Sequence, residues 1–236
     1  MVSRAVLADA NAKLIEVHRV IRDDVQGLMD KLDEMPGDDW REKYYEVREQ
    51  FNEGPPSGAL HAARFIWLNR AGFNGLYREN KKGSYNVPVG SYAKLSIPKP
   101  DHFKKVAELL KGVELVAAKF EEVMSEVSDG DQAYCDPPYV PLSETASFTG
   151  YYRDGFGWDQ QRMLGTVARK AAFKGAKVVI SNHDLPVVRN ELYPRAEGFR
   201  YVAKPRVARA ISRNALKRKA VTEVIAAIGP LQAKVA

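Results

Sequence analysis

The chain has 236 residues, a formal net charge of +6, 45% hydrophobic side chains and one cysteine, Cys135. That length suits one catalytic domain with a smaller insertion. A lone cysteine excludes an internal disulfide and fits a reducing compartment. No apolar run nears the roughly 20 residues a membrane helix needs, and no signal peptide opens the sequence, so a soluble, cytoplasmic protein without membrane contact is expected.

Charge is unevenly spread. Residues 200–219 hold eight Lys or Arg and no acid, and residues 61–105 hold nine basic residues against two acids. Residues 22–53 hold five basic residues against eleven acids. Two basic regions and one acidic region predict a DNA-facing side and a solvent side, although any single basic run can also be a solvated helix face.

Residues 4–9 read as a short strand ending in Asp9. An amphipathic helix should follow, with Leu14, Val17, Ile21, Val25 and Leu28 on one face. A carboxylate at the tip of such a strand can bind the two hydroxyls of a ribose; capping the next helix is the plainer role. A Rossmann-like cofactor site also needs a preceding strand and a Gly-rich turn. Eight residues precede Asp9, and no other glycine cluster replaces that turn; Gly155 and Gly157 lie in a polar loop.

Residues 29–53 read as two polar, acidic helices broken at Pro36-Gly37, with a loop over 54–58 and a largely core-facing helix over 59–69. From Asn69 to Pro88, Gly, Asn and aromatics interleave with Arg and Lys. The pattern predicts a loop and a β-hairpin turning near Lys82-Gly83. Such a composition suits a groove reader: Arg78 can fork onto guanine O6 and N7, and Phe73 can wedge between base steps. A helix over 101–110 and a strand over 113–118 come next.

Gln132 to Cys135 reads as the end of a buried strand, and the run Asp136-Pro137-Pro138-Tyr139 follows. Two prolines can neither pair in a sheet nor continue a helix, so the chain leaves the sheet there. Asp136 then stands at the carboxyl edge of a strand, where open α/β sheets bind ligands. The Asp136 carboxylate and the Pro137 carbonyl make two stiff acceptors, and Tyr139 adds a flat face. An exocyclic amine on a nucleobase matches this set; a Pro-Pro turn after a core strand is the bland alternative. Residues 143–158 are expected to form a mobile lid containing Phe148-Thr149. A helix over 159–173 and a buried strand over 177–181 follow. His183 reads as structural or DNA-side rather than catalytic. The four histidines show no ligand spacing, so no metal is expected. Residues 200–219 are expected to form two strands around a basic turn, and 221–228 to return to the core.

Asp136-Pro137-Pro138-Tyr139 resembles the DPPY motif of DNA adenine-N6 methyltransferases. The longer run YCDPPYVPLSETASFTGYY, the run VISNHD and the segment LADAN resemble the Dam (GATC-methylating) family, from about Ala8 to Gly229. The resemblance implies a Rossmann-like α/β S-adenosylmethionine-dependent methyltransferase core, residues 1–28 and 100–236. A mostly helical target-recognition domain carrying a β-hairpin, residues 29–99, would be inserted into it. It implies transfer of a methyl group from S-adenosylmethionine to adenine N6 of double-stranded DNA, by a chain favoured as a monomer.

By the same resemblance, Asp136, Pro137, Pro138 and Tyr139 are catalytic, and Asp9, Asp136 and Phe120 meet the cofactor. Phe73, Asn74, Leu76, Arg78 and Pro88 lie at the target bases; Asn80, Asn86 and Tyr92 match further DNA-side positions. Ser212, Arg213 and Asn214 are suited to phosphates. The family commonly has Tyr at Phe73, a basic residue at Ser91 and glycines at Ala215-Leu216. It also places a Gly-rich loop ahead of Asp9, so the sequence is expected to begin one βα unit late. A catalytically impaired DNA-binding remnant is the alternative reading.

Overall fold

The computed structural model describes residues 4–142, 156–207 and 220–230. The chain divides into two compact units, Met1–Ala118 and Lys119–Ala236. Both mix helix with sheet, an architecture compatible with an S-adenosylmethionine-dependent methyltransferase fold. Among the described residues no helix is long and apolar enough to cross a membrane.

In the first unit, strand β1 (Ala5–Asp9) pairs in parallel with β2 (Val113–Ala117), Asp9 opposite Ala117. Parallel neighbours need a long crossover, and five helices supply it: α1 (Ala12–Asp23), α2 (Val25–Asp33), α3 (Trp40–Glu53), α4 (Gly58–Ala71) and α5 (Pro100–Leu110). The single helix expected through Leu28 is in fact two. Asp24 adopts a non-helical conformation between them (φ −144°, ψ 52°), and its carboxylate accepts the Gly27 N–H at 3.1 Å. Aspartate bonds backbone donors locally, so it starts a new helix rather than continuing the old one. Leu28 stays fully buried with Tyr44, Trp67 and Ala62. The α1 helix packs on both α4 and α5.

His61 lies in this core at 4% exposure, stacked on Phe51 with ring centroids 4.7 Å apart. Its Nε2 has no hydrogen-bond partner among the described residues. Burial, then the nearby Lys13 and Arg64 cations, hold its pKa below the ordinary 6.5, with Glu16 pulling the other way. The unfolded chain therefore takes up a proton at about pH 6.5 that the folded one refuses, and stability falls as pH drops below that value. His61→Phe, which keeps the stacked ring, should remove this loss. In urea titrations the wild type and the variant should diverge progressively below pH 6.5; parallel curves would show that His61 does not titrate differently on folding.

In the second unit, the strand order is β3 (Gln132–Cys135), β4 (Lys177–His183), β7 (Val221–Ile228), β5 (Arg200–Ala203), with β6 (Arg206–Val207) also on β7. The β3–β4 pair is parallel and the others antiparallel. Strand β4 is central, and its β-branched run is almost wholly buried. The β3 strand is not the buried strand expected. Among the described residues it pairs only with β4, so one edge and much of Tyr134, 65% exposed, face outward. Helices α6 (Phe120–Glu126) and α7 (Trp158–Phe173) pack on each other, and α7 packs on β4. The α7 start is fixed by the Gln160 side chain, which accepts the Gly157 N–H at 2.9 Å. Residues 221–228 form a strand. The expected lid over 143–158 and basic turn within 200–219 fall mainly outside the described residues.

Candidate active site

Asp136 follows the last residue of β3 and is exposed, while Pro137 behind it is buried. The neighbouring strand orients the carboxylate: Ser181 Oγ on β4 donates to Asp136 Oδ1 at 2.7 Å and accepts from Tyr134 Oη at 3.1 Å. One carboxylate oxygen is thereby held at a known angle. The parallel register explains the meeting, since Cys135 pairs with Ile180 and the next residues of both strands are Asp136 and Ser181.

Two fully buried amides hold the loop that follows. Asn182 Oδ1 accepts the N–H groups of Val140 and His183, both at 2.9 Å, and its Nδ2 donates to Gln161 Oε1 at 3.2 Å. Gln161 Nε2 donates to the Pro138 carbonyl at 2.7 Å. The prolines remove N–H donors and fix φ; these amides satisfy the carbonyl and the N–H that remain.

Tyr139 is half-buried. Its hydroxyl donates to Glu223 Oε2 at 3.4 Å, and its ring stands nearly perpendicular to that of His183, centroids 5.1 Å apart. Burial, reinforced by the Asp136, Glu223 and Tyr134 charges and opposed by a Ser181 hydrogen bond, pushes the phenol up to about 12, so it is neutral at physiological pH. His183 Nδ1 lies 2.6 Å from the Val140 carbonyl, the contact of a nitrogen that donates to it. His183 thus has a structural bond available. Cys135 is a half-buried thiol, its pKa pushed up to about 11 by desolvation.

Phe120 opens α6, half-buried against Phe156 at 5.5 Å between centroids. In the other unit, Asp9 is exposed at the carboxyl end of β1, one oxygen accepting the Asn11 N–H at 2.7 Å. That arrangement leaves the second oxygen for a diol, so the residue suits a nucleoside ribose. Asn11, rather than Asp9, caps α1 by accepting the Leu14 N–H at 3.1 Å.

The basic, aromatic stretch folds back on itself. Glu79 and Tyr85 form an antiparallel bridge, and Asn86 N donates to the Arg78 carbonyl at 3.0 Å. Arg78 is exposed, with Nε donating to Asn86 Oδ1 at 2.7 Å, so two of the candidate readers are adjacent. Asn80 shapes the turn: its Oδ1 accepts from the N–H groups of Lys82 at 2.8 Å and Ser84 at 3.1 Å. Asn74 takes a left-handed conformation (φ 55°), one that asparagine tolerates better than most residues. Phe73 is half-buried against the core, Leu76 and Pro88 are exposed, and the Tyr92 hydroxyl donates inward to the Gly72 carbonyl at 3.1 Å. Ser212, Arg213 and Asn214 lie outside the described residues.

Sequence reasoning did not single out Gln161 or Glu223, and met Ser181 and Asn182 within the run VISNHD without seeing what they hold. The usable signal was the polar pair Ser181-Asn182 closing an otherwise apolar strand, since buried polar residues have partners.

Known proteins share much of this sequence. Residues 1–207 match the family model of D12 class N6 adenine-specific DNA methyltransferases. A DNA adenine methylase of Vibrio cholerae serotype O1 is 36% identical over 230 residues, 96% of this chain and 80% of the relative. A DNA adenine methylase of Escherichia coli (strain K12) is 37% identical over 232 residues, 97% of this chain and 80% of the relative. A type II methyltransferase of Lactococcus lactis subsp. cremoris is 34% identical over 195 residues, 80% of this chain and 68% of the relative. The matched span contains both the Asp9 and the Asp136 strand ends, and on these grounds the chain belongs to the D12 class of N6 adenine-specific DNA methyltransferases.

Proposed function

We propose that the protein methylates adenine N6 within GATC in double-stranded DNA. The observation that carries this is the Ser181-oriented, exposed Asp136 carboxylate beside Pro137 and Tyr139 at a strand end. S-adenosylmethionine, when bound, supplies an electrophilic methyl group on a sulfonium. Asp136 and the Pro137 carbonyl accept the two amine hydrogens, which draws the nitrogen lone pair out of the ring plane. Pro138 stiffens the loop, and Tyr139 stacks on the base. The adenine must leave the duplex to reach these groups; unstacking costs a few kcal/mol, offset by that stacking and those bonds. Holding the amine in one fixed orientation towards a bound cofactor would supply much of the acceleration.

Asp9 would hold the cofactor ribose, and Phe120 would meet its adenine. Residues 29–99 act as the recognition domain. Arg78 reads guanine, with Phe73, Asn74, Leu76 and Pro88 at the target bases and Asn80, Asn86 and Tyr92 supporting them. Ser212, Arg213 and Asn214 meet phosphates. A binding-only remnant is not favoured, because Asp9 and Asp136 both remain exposed at strand ends.

Transfer of labelled methyl groups to short duplexes checks the target. Incorporation should appear as N6-methyladenine in a GATC duplex and fall by about a hundredfold or more when the guanine is replaced, since one good bidentate base contact is worth about 1–3 kcal/mol and neighbouring contacts add to it. Equal incorporation into both duplexes would remove GATC from the proposal.

A further inference from the structure

Lys13 stands four residues after Asp9, on the first turns of α1, and reaches across to the reading loop. Its Nζ donates to Glu79 Oε1 at 2.7 Å and to the Gly83 carbonyl at 2.8 Å. One ammonium thus ties the outgoing limb of the loop to its turn. The same Glu79 oxygen accepts the Tyr77 hydroxyl at 2.5 Å. The Tyr77 ring stacks on Phe65 of α4, centroids 5.0 Å apart, while the Lys13 ammonium lies 5.7 Å from the Phe51 ring centroid. The Lys13 and Glu79 side chains are only 26% and 32% exposed, so the pair is better shielded than a typical surface ion pair.

Glu79 is the neighbour of Arg78 in the chain. An acid beside a residue that must approach DNA would repel phosphate unless neutralised. The returning limb is fixed, since Asn52 bonds the Tyr85 backbone and Tyr44 donates to the Val87 carbonyl, whereas the limb carrying Arg78 and Glu79 meets it through the Glu79–Tyr85 bridge, the Arg78–Asn86 bonds and a turn built on Asn80 and Gly83 at φ 76°. Short pairing of this kind is marginal alone.

We propose that Lys13 is a positioning residue for sequence recognition. Through Glu79 and Gly83 it fixes the loop carrying Arg78 to the helix that follows Asp9. It also neutralises the one acid in the loop. This rests on the reading of Arg78 as the guanine contact.

The test is a double-mutant cycle with Lys13→Met, which keeps the alkyl stem over Phe51, and Glu79→Gln, in the full chain. KM for DNA, kcat, and discrimination between a GATC duplex and one lacking the guanine are measured. Lys13→Met should raise KM about tenfold and lower discrimination about tenfold, with kcat moving less than threefold. Adding Glu79→Gln should make neither worse, and Lys13→Arg should recover most of the loss. Unchanged discrimination in Lys13→Met, or effects of the two substitutions that simply multiply, would overturn the tether. Arg78→Ala, run alongside, separates the two failures. Lost discrimination there with an intact Lys13→Met sinks only the tether, while unchanged discrimination in Arg78→Ala sinks the reading of Arg78 and the tether with it.

Discussion

Replacing Asp136 with alanine should lower the rate of methyl transfer by about a thousandfold or more, while duplex affinity stays within about threefold. In the proposed mechanism the carboxylate is one of two acceptors for the amine, and its loss would leave the nitrogen conjugated with the ring. Because Asp136 is exposed, the substitution should leave the fold intact. Affinity for the duplex comes chiefly from basic side chains elsewhere. Ser181→Ala provides the graded control. It keeps the carboxylate but removes the 2.7 Å donor that orients it, so its rate should fall between wild type and Asp136→Ala. Single-turnover transfer of labelled methyl groups, with binding measured separately, reads both. Retained turnover in Asp136→Ala would take this residue out of the chemistry.

The largest effect on stability is expected from Asn182→Ala. Asn182 and Gln161 are fully buried, and removing the Asn182 amide takes away the acceptor of the Val140 and His183 N–H groups and a donor to Gln161 Oε1. Each buried group left unpaired costs about 1–3 kcal/mol, and partial relaxation keeps the total at about 3 kcal/mol. Native-state hydrogen exchange of the β4 amides measures this in the unit concerned, without assuming that the whole chain unfolds at once. Asn190→Ala, at an exposed position, should change protection by less than about 0.5 kcal/mol. A similarly small change in Asn182→Ala would mean that the amide network does not hold the loop. Activity should fall with stability, because the Pro138 carbonyl and Val140 N–H flank Tyr139.

The two effects differ in origin, and so did their visibility in the sequence. Asp136 could be found because two consecutive prolines exclude both helix and sheet, which places the preceding acid at a strand end whatever surrounds it. The same local logic found Asp9, the helix over 159–173 and the β-branched strand that became β4. These are properties of a few adjacent residues, decided by φ restriction, side-chain branching and apolar spacing. The break at Asp24 was missed because the apolar spacing runs on through it while a local side-chain bond ends the helix.

What only the tertiary structure decided is which distant residues meet. Parallel register brings Ser181 to Asp136, and α7 packing brings Gln161 to the Pro138 carbonyl. The crossover between β1 and β2 brings Lys13 to Glu79, 66 positions away. Periodicity carries no record of such pairings, because a hydrogen bond between remote side chains imposes no pattern on the residues around either one. The sequence alone placed Asp9 and Asp136 at strand ends. The fold determined how they are held, since orientation comes from partners that only three-dimensional packing can select.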